Sequence, residues 1–165
     1  MKVYKAYAKV NIFLKITGTR GDYHEIISRF MRVDNLFDKL YFSEKKDNKE
    51  FSIVGDFSCQ TQHNTIYKSY KALYEATGSQ ELRYFMQQHS ICVDKSIPAF
   101  AGLGGGSSDS ATFLKMCNDK LSLLLSVEEL AEIGLKVGAD VPFFIYGYDS
   151  ANVSGVGEIV EEFVE

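Results

Sequence analysis

The first third of the chain alternates between apolar and polar side chains, which is typical of β-strands with one buried face. Within residues 2–17 the alternate apolar positions are Val10, Ile12, Leu14 and Ile16. Residues 18–22 have the glycine and aspartate content of a turn. Further strands are predicted at residues 26–33, 39–43 and 51–54, the last after a charged connection at residues 45–50.

Helical spacing of side chains first occurs after Asn64 and ends at Gly78, a residue that often terminates helices. Residues 111–116 predict a second helix. Ser126 and Glu129 form a capping box, which predicts a third helix that ends at Gly138. The remaining predicted strands are residues 90–93, 143–146, 151–153 and 159–164. Because strands and helices do not alternate regularly, the pattern favours an α+β fold with a mixed sheet packed against helices.

Composition narrows the function classes. The 165 residues predict one domain, and 18 basic against 22 acidic residues argue against a dedicated nucleic-acid-binding protein. Cys59, Cys92 and Cys117 form no C-x-x-C pair, which argues against disulfides and zinc and indicates the reducing cytoplasm. No apolar stretch of about 20 residues predicts a membrane span. We expect no resident metal cluster, and the sequence leaves the oligomeric state open.

A glycine-rich loop stands before the predicted second helix, with four glycines within residues 102–106, followed by Ser107 and Ser108. Consecutive glycines let backbone N–H groups point into one concavity, and the following helix N-terminus favours anions. The loop lacks the Gly-Lys-Ser/Thr ending of a Walker A motif. A flexible connector is the alternative, although a connector would need neither Leu103 within the run nor Pro98 before it.

This segment resembles the second motif of the GHMP kinases, a family of ATP-dependent small-molecule kinases. The resemblance implies a GHMP-type amino-terminal domain over residues 1–165 and a loop that binds the ATP phosphates. Phe100 departs from the glycine expected at its position. The implied ATP-binding residues are Pro98, Ala99, Phe100, Ala101, Gly102, Leu103, Gly104, Gly105, Gly106, Ser107 and Ser108.

Two further segments resemble one group within that family, the diphosphocytidyl-methylerythritol kinases. These segments are Ala8-Lys-Val-Asn11 and Gly138-Ala-Asp-Val-Pro-Phe-Phe144. The resemblance implies that Asp140 is the general base for the substrate hydroxyl. Lys9 would keep Asp140 ionised and stabilise charge on the γ-phosphate. Alternatively, Lys9 is a solvated strand residue and Asp140 a turn or cap residue.

The substrate end of the site is predicted from the segment Arg20-Gly-Asp-Tyr-His-Glu25, which resembles the R-x-D-G-Y-H motif of the same kinases without its glycine. The resemblance implies that Tyr23 and His24 bind the cytidine group, with Asn11 at the polar end of the substrate. An exposed hairpin tip is the alternative. Asn64 and Lys95 are weaker ATP-binding candidates, since Asn64 also fits a helix cap and Lys95 a solvated charge.

Residues 151–158 resemble the A-x-x-x-G-(I/V)-G-E segment of the family, with Gly155 and Gly157 as turn glycines. A third, carboxy-terminal glycine motif is absent, so we expect that domain to lie outside the chain. The expected function is Mg²⁺-dependent transfer of the ATP γ-phosphate to a hydroxyl of 4-diphosphocytidyl-2-C-methyl-D-erythritol, in the non-mevalonate isoprenoid pathway. The alternatives are another GHMP kinase, of the mevalonate, homoserine or galactose type, or a non-catalytic nucleotide- or nucleic-acid-binding module.

Overall fold

A computed structural model describes residues 1–47 and 49–164. Its β-strands form one mixed sheet in the order β3-β4-β2-β5-β6, with β1 paired to β2. All described strand pairs are antiparallel except β3–β4, which is parallel. The strands are β1 (Tyr4–Arg20), β2 (Tyr23–Glu44), β3 (Ile53–Val54), β4 (His89–Asp94), β5 (Ser150–Gly155) and β6 (Ile159–Glu162).

Helices separate the strands and pack against the sheet, which confirms the predicted α+β class. They are α1 (Thr65–Thr77), α2 (Gln80–Gln88), α3 (Gly105–Leu121), α4 (Val127–Leu135) and α5 (Val141–Tyr146), with a short 3-10 helix at Thr61–His63. The amphipathic α3 is the central helix, with Phe113, Leu114 and Met116 fully buried. It contacts β1, β2, α1 and α5, so the residues that open α3 lie where several elements meet.

The β1–β2 hairpin is longer than the sequence pattern predicts. Residues 26–33 and 39–43, predicted as separate strands, belong to one 22-residue strand. The segment between them stays extended because Phe37 and Asp38 pair with Tyr7 and Ala6 of β1, and residues 34–36 form a bulge in the ladder. The alternating apolar positions are also not buried as predicted, since Leu14 and Ile16 are 57% and 58% exposed. Residues 11–16 of β1 are exposed on both faces, whereas Ser28 and Phe30 of the paired strand β2 are buried.

The predicted strand at residues 143–146 is wrong, because these residues lie in α5. A short apolar run fits a buried helix as well as a buried strand. Pro142 in the first turn and Gly147 in the left-handed conformation at the end delimit the helix. Helix α2 has no counterpart in the sequence analysis, since it is short and buries only Leu82 and Met86.

The predicted caps of α1 and the predicted amino-terminal cap of α4 are confirmed, whereas α4 ends at Leu135 and not at the predicted Gly138. The Asn64 side chain accepts a hydrogen bond from the Ile66 backbone N–H, and Gly78 ends α1 in the left-handed conformation. Both reciprocal bonds of the capping box join Ser126 to Glu129. Of the helices in the described part of the chain, none has the length and hydrophobicity that crossing a membrane requires.

Candidate active site

Lys9 is the residue that connects the glycine-rich loop to Asp140. Its backbone N–H donates a hydrogen bond to the Leu103 carbonyl oxygen at 2.9 Å. Its side-chain ammonium lies 3.1 Å from an Asp140 carboxylate oxygen. The two residues predicted as a catalytic pair, 131 positions apart in the chain numbering (140 − 9), therefore form an ion pair beside the predicted ATP loop.

The Lys9 side chain is buried, which excludes the alternative of a solvated strand residue. Its ammonium donates to the Asn11 side-chain oxygen at 2.6 Å and lies 4.3 Å from the centre of the Phe30 ring. Asn11 in turn donates to the Ser28 hydroxyl at 3.2 Å. A buried ammonium needs such partners because an unpaired buried charge is costly. Asn11 therefore lies beside Lys9, as predicted.

Asp140 lies at the start of α5, but its side chain does not cap the helix. Asp140 therefore occupies the turn position of that alternative, but its side chain is not used as a cap. Its carboxylate is 32% exposed, so one side faces Lys9 while the other is open to solvent. A carboxylate that is held by a lysine and still accessible is suited to accept a proton from a bound hydroxyl.

The glycine-rich loop needs its glycines because other groups approach its backbone closely. Gly104 has φ +72° and precedes the first residue of α3. A Cβ atom on Gly104 would lie 2.9 Å from the Phe144 ring and 3.1 Å from Lys9 Cγ. The Thr65 hydroxyl donates to the Gly106 carbonyl oxygen at 2.7 Å, which fixes the loop to the start of α1. These contacts exclude the flexible-connector alternative.

A cavity of about 420 Å³ opens along this loop. It collects nearly all the residues predicted to bind ATP, namely Lys95, Asn64 and residues 98–107. Ser108 does not line it, because its side chain is buried in α3 and faces a smaller cavity beside Lys115. The lining that the sequence analysis did not anticipate consists of Asp56, Phe57, Ser58, Cys59, His63, Thr65, Ile97 and Asp109.

The backbone conformation and exposure of Phe100 show how the loop accommodates a residue other than glycine at this position. It has φ +58°, a left-handed conformation that glycine adopts without cost, and its side chain is 96% exposed. The phenyl ring therefore projects from the rim of the cavity without filling it. The loop keeps the backbone path that a glycine would take.

Lys95 is neither solvated nor free, because two buried carboxylates bind its ammonium. The distances are 2.5 Å to Asp38 and 2.8 Å to Asp109. Although burial works against it, these carboxylates raise the pKa of Lys95. Asp38 also accepts hydrogen bonds from the backbone N–H groups of Ser96 and Ile97. The cluster holds the chain at the point where it enters the glycine-rich loop.

Within the Lys95 cluster, Asp109 is poorly satisfied. Its Oδ1 atom is buried and has no hydrogen-bond partner among the described residues. Burial raises the pKa of Asp109 to about 7, even though Lys95 opposes the rise. Neither Asp38 nor Asp109 was identified from the sequence. Asp109 follows the two serines of the loop directly, and this position was the only available signal.

Tyr23 and His24 lie at the tip of the β1–β2 hairpin, next to the turn at Gly21. Both are exposed, with Tyr23 at 67%. The hydrogen bonds and ion pairs of the described residues do not join either side chain to Lys9 or Asp140. Arg20, which pairs with Tyr23 across the turn, instead binds Glu25 and Glu158. The predicted pyrimidine-binding residues therefore form a separate region of the surface.

The fold and this arrangement of lysine, aspartate and glycine-rich loop define a class of protein. The family model described as "GHMP kinases N terminal domain" matches residues 64–148, just over half of the chain. The chain belongs to the GHMP kinase family.

Individual relatives show which members of the family the chain is similar to. A protein of Sulfurimonas denitrificans named 4-diphosphocytidyl-2-C-methyl-D-erythritol kinase is 64% identical, and the match covers 100% of this chain and 63% of that protein. A relative of the same name from Helicobacter pylori is 40% identical, with 99% of this chain and 60% of the relative covered. The chain thus spans less than two thirds of the length of these relatives.

Solved structures agree with the family assignment. A crystal structure of 4-(cytidine 5'-diphospho)-2C-methyl-D-erythritol kinase has a TM-score of 0.71 and 30% identity, covering 99% of this chain and 55% of the other. The mevalonate kinase of Methanococcus jannaschii has a TM-score of 0.61 at 15% identity, with coverages of 99% and 56%. At that identity the second match supports the fold alone.

Proposed function

We propose that the protein transfers the γ-phosphate of ATP to a hydroxyl of 4-diphosphocytidyl-2-C-methyl-D-erythritol, a step of the non-mevalonate isoprenoid pathway. The observation that carries this proposal is the position of the buried Lys9 side chain. Its aliphatic part packs against Gly104 of the glycine-rich loop, and its ammonium forms an ion pair with Asp140. The printed names of the relatives support the choice of acceptor. The free thiols Cys59, Cys92 and Cys117 suit the reducing cytoplasm.

The cavity along residues 98–107 would hold ATP. The phosphates would lie against the backbone N–H groups at the start of α3, where the helix dipole favours negative charge. Phe57, His63 and Asn64 also line the cavity and would surround the adenine base. The γ-phosphate would then point along the loop toward Lys9.

Asp140 would accept the proton of the substrate hydroxyl as that oxygen attacks the γ-phosphorus. Lys9 would hold Asp140 in place and neutralise charge that develops on the transferred group. Asn11 fixes the ammonium of Lys9 from the opposite side. The tasks of these residues are positioning and electrostatic stabilisation, which are the main contributions that phosphoryl transfer requires from a protein.

Mg²⁺ would enter with the nucleotide. The described residues contain no cluster of three acidic, histidine or cysteine side chains that could hold a metal, but Mg²⁺ in kinases is bound largely by phosphates and water. Ser107 fits as a protein ligand, because its hydroxyl lies close to Gly138, between the loop and the Asp140 corner. The ion would supply charge neutralisation at the phosphates.

Tyr23 and His24 would bind the cytidine diphosphate group of the acceptor. The exposed aromatic face of Tyr23 can stack on a pyrimidine, and the His24 imidazole can donate to or accept from its edge. The acceptor would then extend from the hairpin tip to Asp140, with its reacting hydroxyl at the Asp140 end.

The test is ATP-dependent phosphorylation of 4-diphosphocytidyl-2-C-methyl-D-erythritol by the full-length protein, followed by ³¹P NMR, with mevalonate as the comparison acceptor. Asp140→Asn should lower kcat by about 10²- to 10⁴-fold, the usual contribution of a general base, with little change in ATP binding by calorimetry. Asp149→Asn is the matched control, because Asp149 is an exposed aspartate after the same helix. Turnover of mevalonate in place of the cytidine compound, or near-normal kcat in Asp140→Asn, would refute the proposal.

A further inference from the structure

The segment Gly155-Val-Gly-Glu158, between β5 and β6, lies between the catalytic corner and the hairpin tip. Gly157 has φ +111°, and a Cβ atom there would collide with the carbonyl oxygen of Ala139, the residue before Asp140. The turn therefore packs directly against the backbone that positions the general base.

Glu158 is held in one conformation by its own turn. Its Oε2 atom accepts a hydrogen bond of 2.5 Å from the Val156 N–H. Its carboxylate lies over Gly155, where a Cβ atom would collide with it. Although partial burial works against ionisation, the backbone N–H groups and Arg20 hold the pKa of Glu158 below its usual value. The turn thus presents a fixed negative charge.

Arg20 bridges this charge to the hairpin tip. Its guanidinium donates to Glu158 Oε1 at 2.7 Å and to Glu25 Oε1 at 2.9 Å. The bond to Glu25 lies within the hairpin and would suffice to close it. The bond to Glu158 joins the hairpin to a different element, so it is not explained by hairpin closure.

These contacts form a continuous physical connection from Asp140 through Ala139, Gly157, Glu158 and Arg20 to the turn that carries Tyr23 and His24. We propose that Arg20 and Glu158 are positioning residues that fix the hairpin tip relative to Asp140. They thereby determine the affinity for the pyrimidine nucleoside diphosphate end of the acceptor. This inference rests on the proposed function.

A fixed separation between the two ends matters because the acceptor must be held at both of them. The tip binds the nucleotide end, while Asp140 requires the reacting hydroxyl within hydrogen-bonding distance. The β1 strand beyond Val10 is largely exposed on both faces, and Tyr23 and His24 are exposed too, so core packing does not fix the tip. The Arg20 guanidinium, which binds the carboxylates of Glu25 and Glu158 at the same time, supplies the missing restraint.

The experiment measures steady-state kinetics of the full-length protein with Arg20→Ala, Arg20→Lys, Glu158→Gln and the double variant Arg20→Ala/Glu158→Gln. Arg20→Ala should raise the acceptor KM and the inhibition constant of cytidine diphosphate about three- to fivefold, the range for a partly exposed ion pair. The KM for ATP should stay unchanged. Glu158→Gln keeps an acceptor for the Val156 N–H and should reproduce the Arg20→Ala effect, and the double variant should be no worse than either single one.

Arg20→Lys should restore the acceptor KM to within about twofold, since an ammonium can still bind Glu158. Arg83→Ala is the matched control, because Arg83 on α2 forms an exposed ion pair with Glu50, a residue outside that helix. An unchanged acceptor KM in Arg20→Ala, or an equal rise in the KM for ATP, would overturn the inference. So would a normal KM in Glu158→Gln, because Arg20 would then act through Glu25 alone. Absence of acceptor turnover in the unmutated protein would instead refute the proposed function.

Discussion

The Lys95 cluster places two buried carboxylates around one ammonium, and this imbalance makes stability depend on pH. Among the described residues, Asp38 accepts hydrogen bonds from Lys95 and two backbone N–H groups, whereas Asp109 accepts one from Lys95 alone and has an unpartnered oxygen. The surplus proton therefore belongs on Asp109. Burial accordingly raises its pKa from 3.8 to about 7.

The sign and size of the effect follow from linkage. Between pH 4 and pH 7, approximately, the folded protein retains a proton on Asp109 that the unfolded chain has lost. Stability therefore falls as pH rises through this window and levels off above it. A shift of about three pKa units at 1.36 kcal/mol each amounts to about 4 kcal/mol between the two limits. Asp109→Asn removes this ionisation. The free energy of unfolding of the variant minus that of the unmutated protein should therefore increase with pH by about that amount.

Urea unfolding of both proteins at pH values from 4 to 8 measures this difference directly. Asp119→Asn is the control, since Asp119 lies on the same helix but is exposed, and its bond with Lys2 lowers its pKa. Ionised Asp119 therefore stabilises the folded protein above the usual pKa of aspartate, and Asp119→Asn should remove that stability. The difference between Asp119→Asn and the unmutated protein should thus change with pH in the opposite direction to that of Asp109→Asn. If the difference between Asp109→Asn and the unmutated protein were constant across the pH range, the reasoning about the shared ammonium would be refuted.

Two further substitutions test the loop and a helix cap. Gly104→Ala should lower ATP affinity about tenfold by calorimetry, because a left-handed residue would carry a Cβ against Phe144 and Lys9. Gly78→Ala, also left-handed but with open space around it, should leave ATP affinity unchanged, and equal losses would contradict the role of the close approach. Ser126→Ala should destabilise the protein to urea by about 1 kcal/mol through loss of the α4 cap, and an unchanged midpoint would contradict it.

The sequence allowed prediction of those features that depend on local chemistry. The glycine-rich loop, the caps at Asn64 and Ser126 and the general α+β class follow from short motifs and periodicity. Lys9 and Asp140 were predicted as a pair only through the family resemblance, because residues so far apart in the chain carry no local signal of contact. Their ion pair depends on how β1 and α5 pack around α3.

The wrong and missing predictions share a physical cause: each depends on packing between elements that are distant in the chain. Phe143 and Phe144 fit a strand or a buried helix equally well, and the packing of α5 against α3 and α4 decides between them. Leu14 alternates as a buried strand residue would, but the helices do not extend over that part of the hairpin. Asp38 was not identified because its partner Lys95 lies 57 residues away.

The Lys9–Asp140 ion pair is positioned by aromatic core packing as much as by its own charges. The Lys9 ammonium lies over the Phe30 ring, and Phe30 meets Phe143 edge-to-face with ring centres 5.3 Å apart. Phe143 belongs to α5, the helix that starts directly after Asp140. The same aromatic pair therefore joins β2, whose Phe30 lies under the lysine ammonium, to the helix that follows the aspartate. An ion pair held from both sides in this way needs little reorganisation when substrate arrives, which is the condition for electrostatic stabilisation of phosphoryl transfer.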